Sequence, residues 1–89
     1  MPSRKITIIN KLGLHARAAA RFVATASNFD AAIRLRKGEK TVNGKSIMGV
    51  MMLAAGRGTS LELSAEGEDA EQALDALEQL VASRFEEAE

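Results

Sequence analysis

Apolar and polar residues alternate with a period of two along three stretches of the chain, which predicts three half-buried β-strands. The stretches are residues 4–10 (RKITIIN), 31–37 (AAIRLRK) and 59–67 (TSLELSAEG). A Lys-Gly pair after the second stretch predicts a tight turn into a short strand over residues 39–43 (EKTVN), so that these two strands form a hairpin. The side chains expected to face the core are Ile6, Ile8, Ile33, Leu35, Leu61, Leu63 and Ala65.

Helices are predicted where apolar residues recur at intervals of three and four. The first runs from Ala16 to about Ser27 and is rich in alanine. Residues 46–53 predict a short second helix with Ser46 as its N-cap. The apolar stripe of the first helix consists of Ala19, Phe22, Val23 and Ala26.

A third helix with an acidic outer face is predicted near the end of the chain. Asp69 and Gln72 have the spacing of a capping box, and the helix then runs to near Arg84. Its apolar stripe consists of Ala70, Ala73, Leu74, Leu77 and Val81.

The order of elements is strand, helix, strand, strand, helix, strand, helix, which predicts a sheet covered on one side by helices. This pattern leaves a ferredoxin-like topology equally open. The glycines of residues 54–60 (AAGRGTS) predict a turn before the last strand, since the segment lacks the lysine of a phosphate-binding P-loop.

Composition narrows the class of protein. The 89 residues are enough for one domain, residues 1–89, with a modest core. With no cysteine and a single histidine, the chain lacks the ligands of a structural metal site, so we expect no metal. We find no signal peptide and no apolar run of about 20 residues, and therefore expect a cytoplasmic protein without membrane insertion.

The net charge of zero conceals a separation of charge along the chain. Residues 1–49 hold ten Lys and Arg against two acidic residues (+8), and residues 50–89 hold two Arg against ten acidic residues (−8). A basic half can indicate nucleic-acid binding, but the three aromatic residues are all Phe and no basic run contains interleaved aromatics. An acidic protein partner or a phosphate ligand fits as well, and we expect no nucleic acid.

The single histidine, His15, lies directly before the alanine-rich helix. If it is the N-cap, the N–H groups of Ala16, Arg17 and Ala18 have no partner within the helix and form an anion site. The guanidinium of Arg17 adds donors suited to phosphate oxygens. A neutral imidazole beside such a site can accept a phosphoryl group, although on residue types alone a lone histidine here is more often only a cap.

Two motifs bear on this choice. Residues 13–19 (GLHARAA) and 43–53 (NGKSIMGVMML) resemble the HPr family, the histidine-containing phosphocarriers of the bacterial phosphoenolpyruvate:sugar phosphotransferase system. The similarity extends over nearly the whole chain and includes the order of elements. It implies an α+β fold, an open-faced β-sandwich in which a four-stranded antiparallel sheet carries three helices on one face in the order βαββαβα.

The resemblance implies a role for His15 as the phosphoacceptor, through its Nδ1 atom. The donor would be the phosphohistidine of enzyme I and the acceptor a histidine of an EIIA-type protein, so the chain is a phosphoryl carrier and not an enzyme. Arg17 matches the arginine that steadies the phosphate, and no cofactor is implied. Many family members have proline where this chain has Ala18, which gives this helix one more N–H donor and a less rigid first turn.

Ser46 and the helix after it form a second candidate site. Residues 45–51 resemble the segment phosphorylated by HPr kinase/phosphorylase, although Ser46 is also a good N-cap. Val50 and Leu53 are assigned to the core, because so short a helix cannot bury all its apolar residues. We expect a monomer with small, transient interfaces, whose partner contacts are Ala16, Arg17, Ala20, Arg21, Lys45, Ile47, Met48 and Met51.

Three classes of function are compatible with these patterns. A phosphocarrier of the sugar branch is favoured over one of the nitrogen-regulatory branch, because residues 43–53 resemble the kinase-regulated type. A binding module for a transcription factor would use Ser46 and the methionines but would leave His15 and Arg17 without a purpose. A nucleic-acid-binding domain is supported only by the basic half of the chain.

Overall fold

The computed structural model describes residues 2–86 as a four-stranded antiparallel sheet with three helices on one face. Met1 and residues 87–89, which the predicted domain includes, lie outside the described residues. The elements are β1 (Ser3–Thr7), α1 (Ala16–Ala26), β2 (Ala32–Lys37), β3 (Lys40–Asn43), α2 (Ile47–Met52), β4 (Ser60–Glu66), α3 (Ala70–Ala82) and a C-terminal turn (Arg84–Glu86). The βαββαβα order expected from the resemblance is confirmed.

The strands are arranged in the order β1-β4-β2-β3, and every neighbouring pair is antiparallel. This order places β1 at an edge of the sheet beside β4 and excludes the ferredoxin-like alternative, whose first strand is central. The first strand is shorter than predicted, because β1 ends at Thr7. Pairing continues for one residue through Ile8, whose N–H donates to the carbonyl of Thr59 at 2.9 Å.

The two faces of the sheet differ as the alternation predicts. All the side chains predicted to face the core are buried, from Leu35, Leu63 and Ala65 at 0% exposure to Ile6 at 5%. The hairpin between β2 and β3 is confirmed, with Gly38 at a φ of +60° in a two-residue loop. The face without helices is polar and exposed, and its charged side chains are Lys5, Arg34, Arg36, Glu62 and Glu66.

Alanines allow α1 to lie close to its neighbouring helices, α2 and α3. Ala18, Ala19 and Ala26 are completely buried together with Phe22, whereas Val23 of the predicted stripe is only partly buried. The whole predicted stripe of α3 is buried. A short side chain at a buried position lets the backbone of a helix approach its neighbour, so the two helices enclose a core with little aromatic volume.

The capping box predicted for α3 is wrong. Asp69 is the N-cap, but its carboxylate makes no bond to the helix. It accepts hydrogen bonds from the backbone N–H groups of Asp30 at 2.8 Å and Ala31 at 2.9 Å. These bonds, that of Asp30 first, hold the pKa of the Asp69 carboxyl below its usual range, and the charge of Lys45 contributes. Asp69 therefore connects α3 to the loop before β2.

The outer face of α3 is acidic, as predicted, and part of it pairs with β1. The guanidinium of Arg4 forms ion pairs with Glu71, Asp75 and Glu78. These three positions follow one another at helical spacing, so a single arginine on the edge strand bridges two turns of the helix. The pairing explains how some of the charge separated along the sequence is brought together in the fold.

Both ends of α2 are capped by side chains. The Ser46 Oγ atom accepts a hydrogen bond from the N–H of Gly49 at 3.1 Å, which confirms the predicted N-cap. At the other end, Lys40 Nζ donates to the carbonyl of Met52 at 2.7 Å and Lys37 Nζ to that of Leu53 at 3.1 Å. The hairpin lysines thus satisfy carbonyl groups that the end of a helix leaves unpaired.

Candidate functional site

The loop that precedes α1 is held from inside the protein. Asn10 is completely buried, and its Nδ2 atom donates to the carbonyl of Gly13 at 2.9 Å. The N–H of Leu14 donates to the carbonyl of Ala55 at 2.8 Å, which ties this loop to the glycine-rich turn before β4. Gly13 has a φ of +67°, and a Cβ atom there would overlap the backbone of Ala55 and Gly56. The position of His15 is therefore set by the buried side chain of Asn10 and by contacts between the backbones of the two loops.

His15 is the N-cap of α1. Its backbone is extended (φ −72°, ψ 177°), and its carbonyl accepts the first hydrogen bond of the helix, from Ala19 at 2.8 Å. The Nδ1 atom of the ring accepts a hydrogen bond from the N–H of Arg17 at 3.3 Å. A ring nitrogen that accepts a hydrogen bond carries no proton, so the proton of the neutral ring is on Nε2. The lone pair of Nδ1 is thereby directed to the N-terminus of the helix.

The first N–H groups of α1 are arranged around this nitrogen. The helix ladder starts with the N–H of Ala19, so those of Ala16, Arg17 and Ala18 precede it. One of the three predicted donors is thus occupied by the imidazole itself, through Arg17. The dipole of this 11-residue helix adds roughly half a positive charge at its N-terminus. The site is suited to an anion attached to Nδ1.

The predicted cations differ in their surroundings. Arg17 is exposed, and within residues 2–86 its guanidinium forms no hydrogen bond or ion pair. Arg21 instead donates through Nη1 to the carbonyl of Phe85, and Lys45 Nζ donates to the carbonyl of Phe29 at 2.6 Å. Arg21 and Lys45 are thus partly engaged in the fold, which sequence reasoning did not predict.

Four apolar side chains of α2 are exposed to solvent. Ile47, Met48, Met51 and Met52 are 40%, 68%, 40% and 60% exposed, whereas Val50 and Leu53 are buried as predicted. We call these four residues the α2 patch. Helix α2 packs against α1, which carries His15 at its start. Met52 was not predicted as a contact, although it lies four residues after Met48 and so shares its face.

Leu12, like Met52, is an exposed apolar residue that was not predicted from the sequence as a partner contact. It is 67% exposed and lies three residues before His15, on the same loop. Alternating or helical spacing could not have identified it, because the loop has neither. Its position adds apolar surface on the N-terminal side of the histidine.

Two further properties concern the part of the chain that the structure describes. Across residues 2–86 no three His, Cys, Asp or Glu side chains are grouped so that they could hold a metal ion. None of the helices found in this region has the length and apolar character needed to cross a bilayer.

The geometry can be compared with known proteins. Residues 2–83 match the family model described as the PTS HPr component phosphorylation site. The chain belongs to the HPr family. Among relatives, the phosphocarrier protein HPr of Pseudomonas aeruginosa PAO1 is 58% identical over 90 residues, covering 100% of both chains. The phosphocarrier protein NPr of Shewanella violacea is 48% identical over 85 residues, covering 96% of this chain and 93% of its own.

Solved structures of the HPr family agree with the fold. The crystal structure of HPr-C-His from Thermoanaerobacter tengcongensis has a TM-score of 0.96 at 50% identity and covers 100% of both chains. A structure described as an HPr dimer from the same organism has a TM-score of 0.79 at 52% identity, covering 98% of this chain and 100% of its own. Membership of the HPr family gives this chain the role of a phosphocarrier in the phosphotransferase system.

Proposed function

We propose that His15 accepts a phosphoryl group on Nδ1 from the phosphohistidine of enzyme I and passes it to a histidine of an EIIA-type protein. The observation that carries this proposal is the hydrogen bond from the Arg17 N–H to Nδ1 at the N-terminus of α1. This bond orients the Nδ1 lone pair toward the first turn of the helix. Transfer breaks the nitrogen–phosphorus bond of the donor and forms one at Nδ1, and the donor histidine keeps the electron pair.

The same donors would then stabilise the phosphorylated state. When Nδ1 bonds to phosphorus its lone pair is no longer available, and the Arg17 N–H can donate to a phosphoryl oxygen instead. The N–H groups of Ala16 and Ala18 and the helix dipole add to this stabilisation. The guanidinium of Arg17, which has no partner among residues 2–86, can bind a second phosphoryl oxygen through two of its N–H groups. This chain supplies a nucleophile and an anion site, and the partners supply the remaining chemistry.

The α2 patch would serve as the apolar part of the docking surface for both partners. Methionine side chains adapt to several partner surfaces, which suits a protein that has to bind a donor and an acceptor in turn. Ala16, Arg17, Ala20, Arg21 and Lys45 would complete the contact surface. A carrier of this kind is expected to be a cytoplasmic monomer that leaves each partner quickly, and it needs no metal or cofactor on this chain.

Ser46 would be a regulatory phosphorylation site for an HPr kinase/phosphorylase in the sugar branch of the system. Ser46 is half-buried, and its Oγ atom caps α2 by accepting the hydrogen bond from the N–H of Gly49. A phosphate there would add nearly two negative charges beside Ile47 and Met48. Desolvation of that part of the α2 patch on docking would then cost more, so the modification would reduce exchange with enzyme I.

The test of the proposal is phosphorylation by phosphoenolpyruvate and enzyme I, measured as acid-labile phosphate on the chain. We expect wild-type protein to be labelled and the variants His15→Ala and His15→Asn to remain unlabelled. Asn retains an oxygen that can cap α1, so it separates loss of the nucleophile from loss of the cap. Labelling of either variant at a near-normal rate would contradict the assignment of His15.

A further inference from the structure

The sulfur atoms of the described chain are confined to one surface. Between residues 2 and 86 the only sulfur-containing residues are Met48, Met51 and Met52, and the chain has no cysteine. All three methionines belong to the α2 patch, at spacings of three and four residues that place them on one side of the helix. Any sulfur-directed oxidation of this region must therefore occur on the α2 patch.

The chemistry of a thioether at these positions is well defined. A hydroperoxide transfers one oxygen atom to the methionine sulfur, the O–O bond breaks, and water or an alcohol leaves. The sulfur loses two electrons and the peroxide gains them, so the step needs no other reactant. The product is a methionine sulfoxide, which methionine sulfoxide reductases return to the thioether. Susceptibility follows exposure, and Met48 and Met52 are more exposed than Met51.

We infer that the α2 patch is a site of reversible methionine oxidation by hydroperoxides, with Met48 and Met52 modified before Met51, and that oxidation weakens docking of protein partners. The loss of docking rests on the proposed function. The site of oxidation and its order rest on the exposure of the three side chains alone.

The fold would tolerate this modification. Helix α2 is attached to the protein by the buried side chains of Val50 and Leu53 and by its caps, Ser46 at one end and Lys37 and Lys40 at the other. None of these contacts uses a methionine side chain, and the exposed sulfurs can carry their oxygen into water. Oxidation of a core methionine disrupts packing, whereas oxidation here changes only the surface.

Docking, in contrast, would lose affinity. A sulfoxide oxygen is a polar acceptor, and a polar group buried without a hydrogen-bond partner is unfavourable. A partner surface that packs against the apolar thioethers is not expected to place a hydrogen-bond donor opposite each sulfoxide oxygen. We expect the phosphorylation rate at low protein concentration to fall by roughly tenfold, which corresponds to about 1.4 kcal/mol of binding free energy.

The test treats purified protein with increasing hydrogen peroxide and maps the added oxygen by peptide mass spectrometry. The rate of phosphorylation by phosphoenolpyruvate and limiting enzyme I is measured on the same samples, together with the thermal unfolding midpoint. We expect oxygen on Met48 and Met52 first, an unchanged midpoint, a lower rate, and recovery of the rate after treatment with methionine sulfoxide reductases.

A variant that combines Met48→Leu, Met51→Leu and Met52→Leu is the matched control, because leucine keeps the apolar surface and removes the sulfur. Each protein is compared with its own untreated sample, and only the rate of the wild type should respond to peroxide. Equal losses in both proteins, an unchanged rate after oxidation of the wild type, or a lowered midpoint would each overturn the inference. If untreated wild type accepts no phosphoryl group, the proposed function fails. The order in which the methionines gain oxygen and the thermal unfolding midpoint would still test the proposed oxidation site.

Discussion

The backbone N–H of Leu14 donates to the carbonyl of Ala55, and this bond joins the loop before His15 to the turn before β4. The two loops are 41 residues apart in the sequence, yet their backbones are so close that Gly13 leaves no room for a Cβ atom beside Ala55 and Gly56. The loop that carries the candidate phosphoacceptor is therefore held by a close contact between two backbones. A substitution that disturbs this contact should change the position of His15 as well as the stability of the fold.

We predict that Gly13→Ala lowers both the stability of the protein and the rate of phosphoryl transfer. The substitution forces a side chain into a positive φ and into the backbone of the neighbouring turn, so the loop that carries His15 must move. Gly38→Ala is the matched control, since Gly38 also has a positive φ but no heavy atom lies near its would-be Cβ. That control should cost roughly 1–2 kcal/mol of unfolding free energy and leave transfer unchanged.

The measurements are the free energy of unfolding in urea and the rate of labelling by enzyme I. A Gly13→Ala protein whose transfer rate equals that of Gly38→Ala would show that the loop contact does not position His15.

We predict that Arg17→Ala gives a slower carrier that can still be labelled. The proposed nucleophile His15 and the backbone N–H groups remain, but the variant loses a guanidinium that forms no hydrogen bond or ion pair within residues 2–86 and would bind the phosphoryl group. Arg17→Lys should recover only part of the rate, because an ammonium group cannot form the planar fork. Arg34→Ala, on the sheet face away from the helices, is the control and should transfer at the wild-type rate. Single-turnover labelling distinguishes these variants, and an unchanged rate for Arg17→Ala would remove this arginine from the site.

We predict a pH dependence of stability that originates at Asp69. Its pKa is lowered in the folded protein by the bonds from Asp30 and Ala31, so folding favours the ionised form. The stabilisation is complete above the unfolded pKa of about 3.9 and is lost as the pH falls through the lower, folded pKa. Asp69→Asn should therefore be less stable than wild type near neutral pH, and the difference should shrink below about pH 4.

Urea unfolding at several pH values checks this prediction. Gln72→Ala tests the rejected capping box at the same time. Because the Asp69 carboxylate bonds outside the helix and Gln72 is exposed, this substitution should change stability by no more than about 0.5 kcal/mol. A pH-independent difference between wild type and Asp69→Asn would contradict the assigned cause.

We predict that Ser46→Ala and phosphorylation of Ser46 have opposite effects. The alanine variant loses the bond to Gly49 and should be less stable by roughly 0.5–2 kcal/mol, with transfer to His15 nearly intact. A phosphate on Ser46 is favoured by the nearby helix N–H groups, so stability should not fall, but labelling of His15 should be slower. Ser46→Asp should slow it less. If kinase-treated protein is labelled at the unmodified rate, Ser46 is only a helix cap.

The strands and the buried helix stripes could be predicted because each depends on spacing within one segment. Val50 and Leu53 could be placed in the core for the same reason. The partners of Asp69 could not be predicted, since the local rule for a capping box competes with two backbone donors that only the tertiary fold brings near.

The hydrogen-bond partners of Arg21 and Lys45 could not be predicted either, because they too are distant in the sequence. Arg21 bonds to the carbonyl of Phe85 and Lys45 to that of Phe29, contacts between segments 64 and 16 residues apart in sequence. His15, in contrast, could be assigned as an N-cap from the sequence, because its hydrogen bond to Arg17 is local.

Because helices cover only one face of the sheet, the rate at which the protein carries phosphoryl groups from donor to acceptor should depend on the acceptor concentration. His15 and the α2 patch belong to the helical layer, whereas the opposite face of the sheet presents mostly polar side chains such as Lys5, Arg34 and Glu62. A donor and an acceptor that both need the helical layer exclude one another, so the protein would alternate between them and form no ternary complex. Excess unphosphorylated acceptor would then sequester the carrier and slow its loading, and throughput would pass through a maximum as acceptor concentration rises.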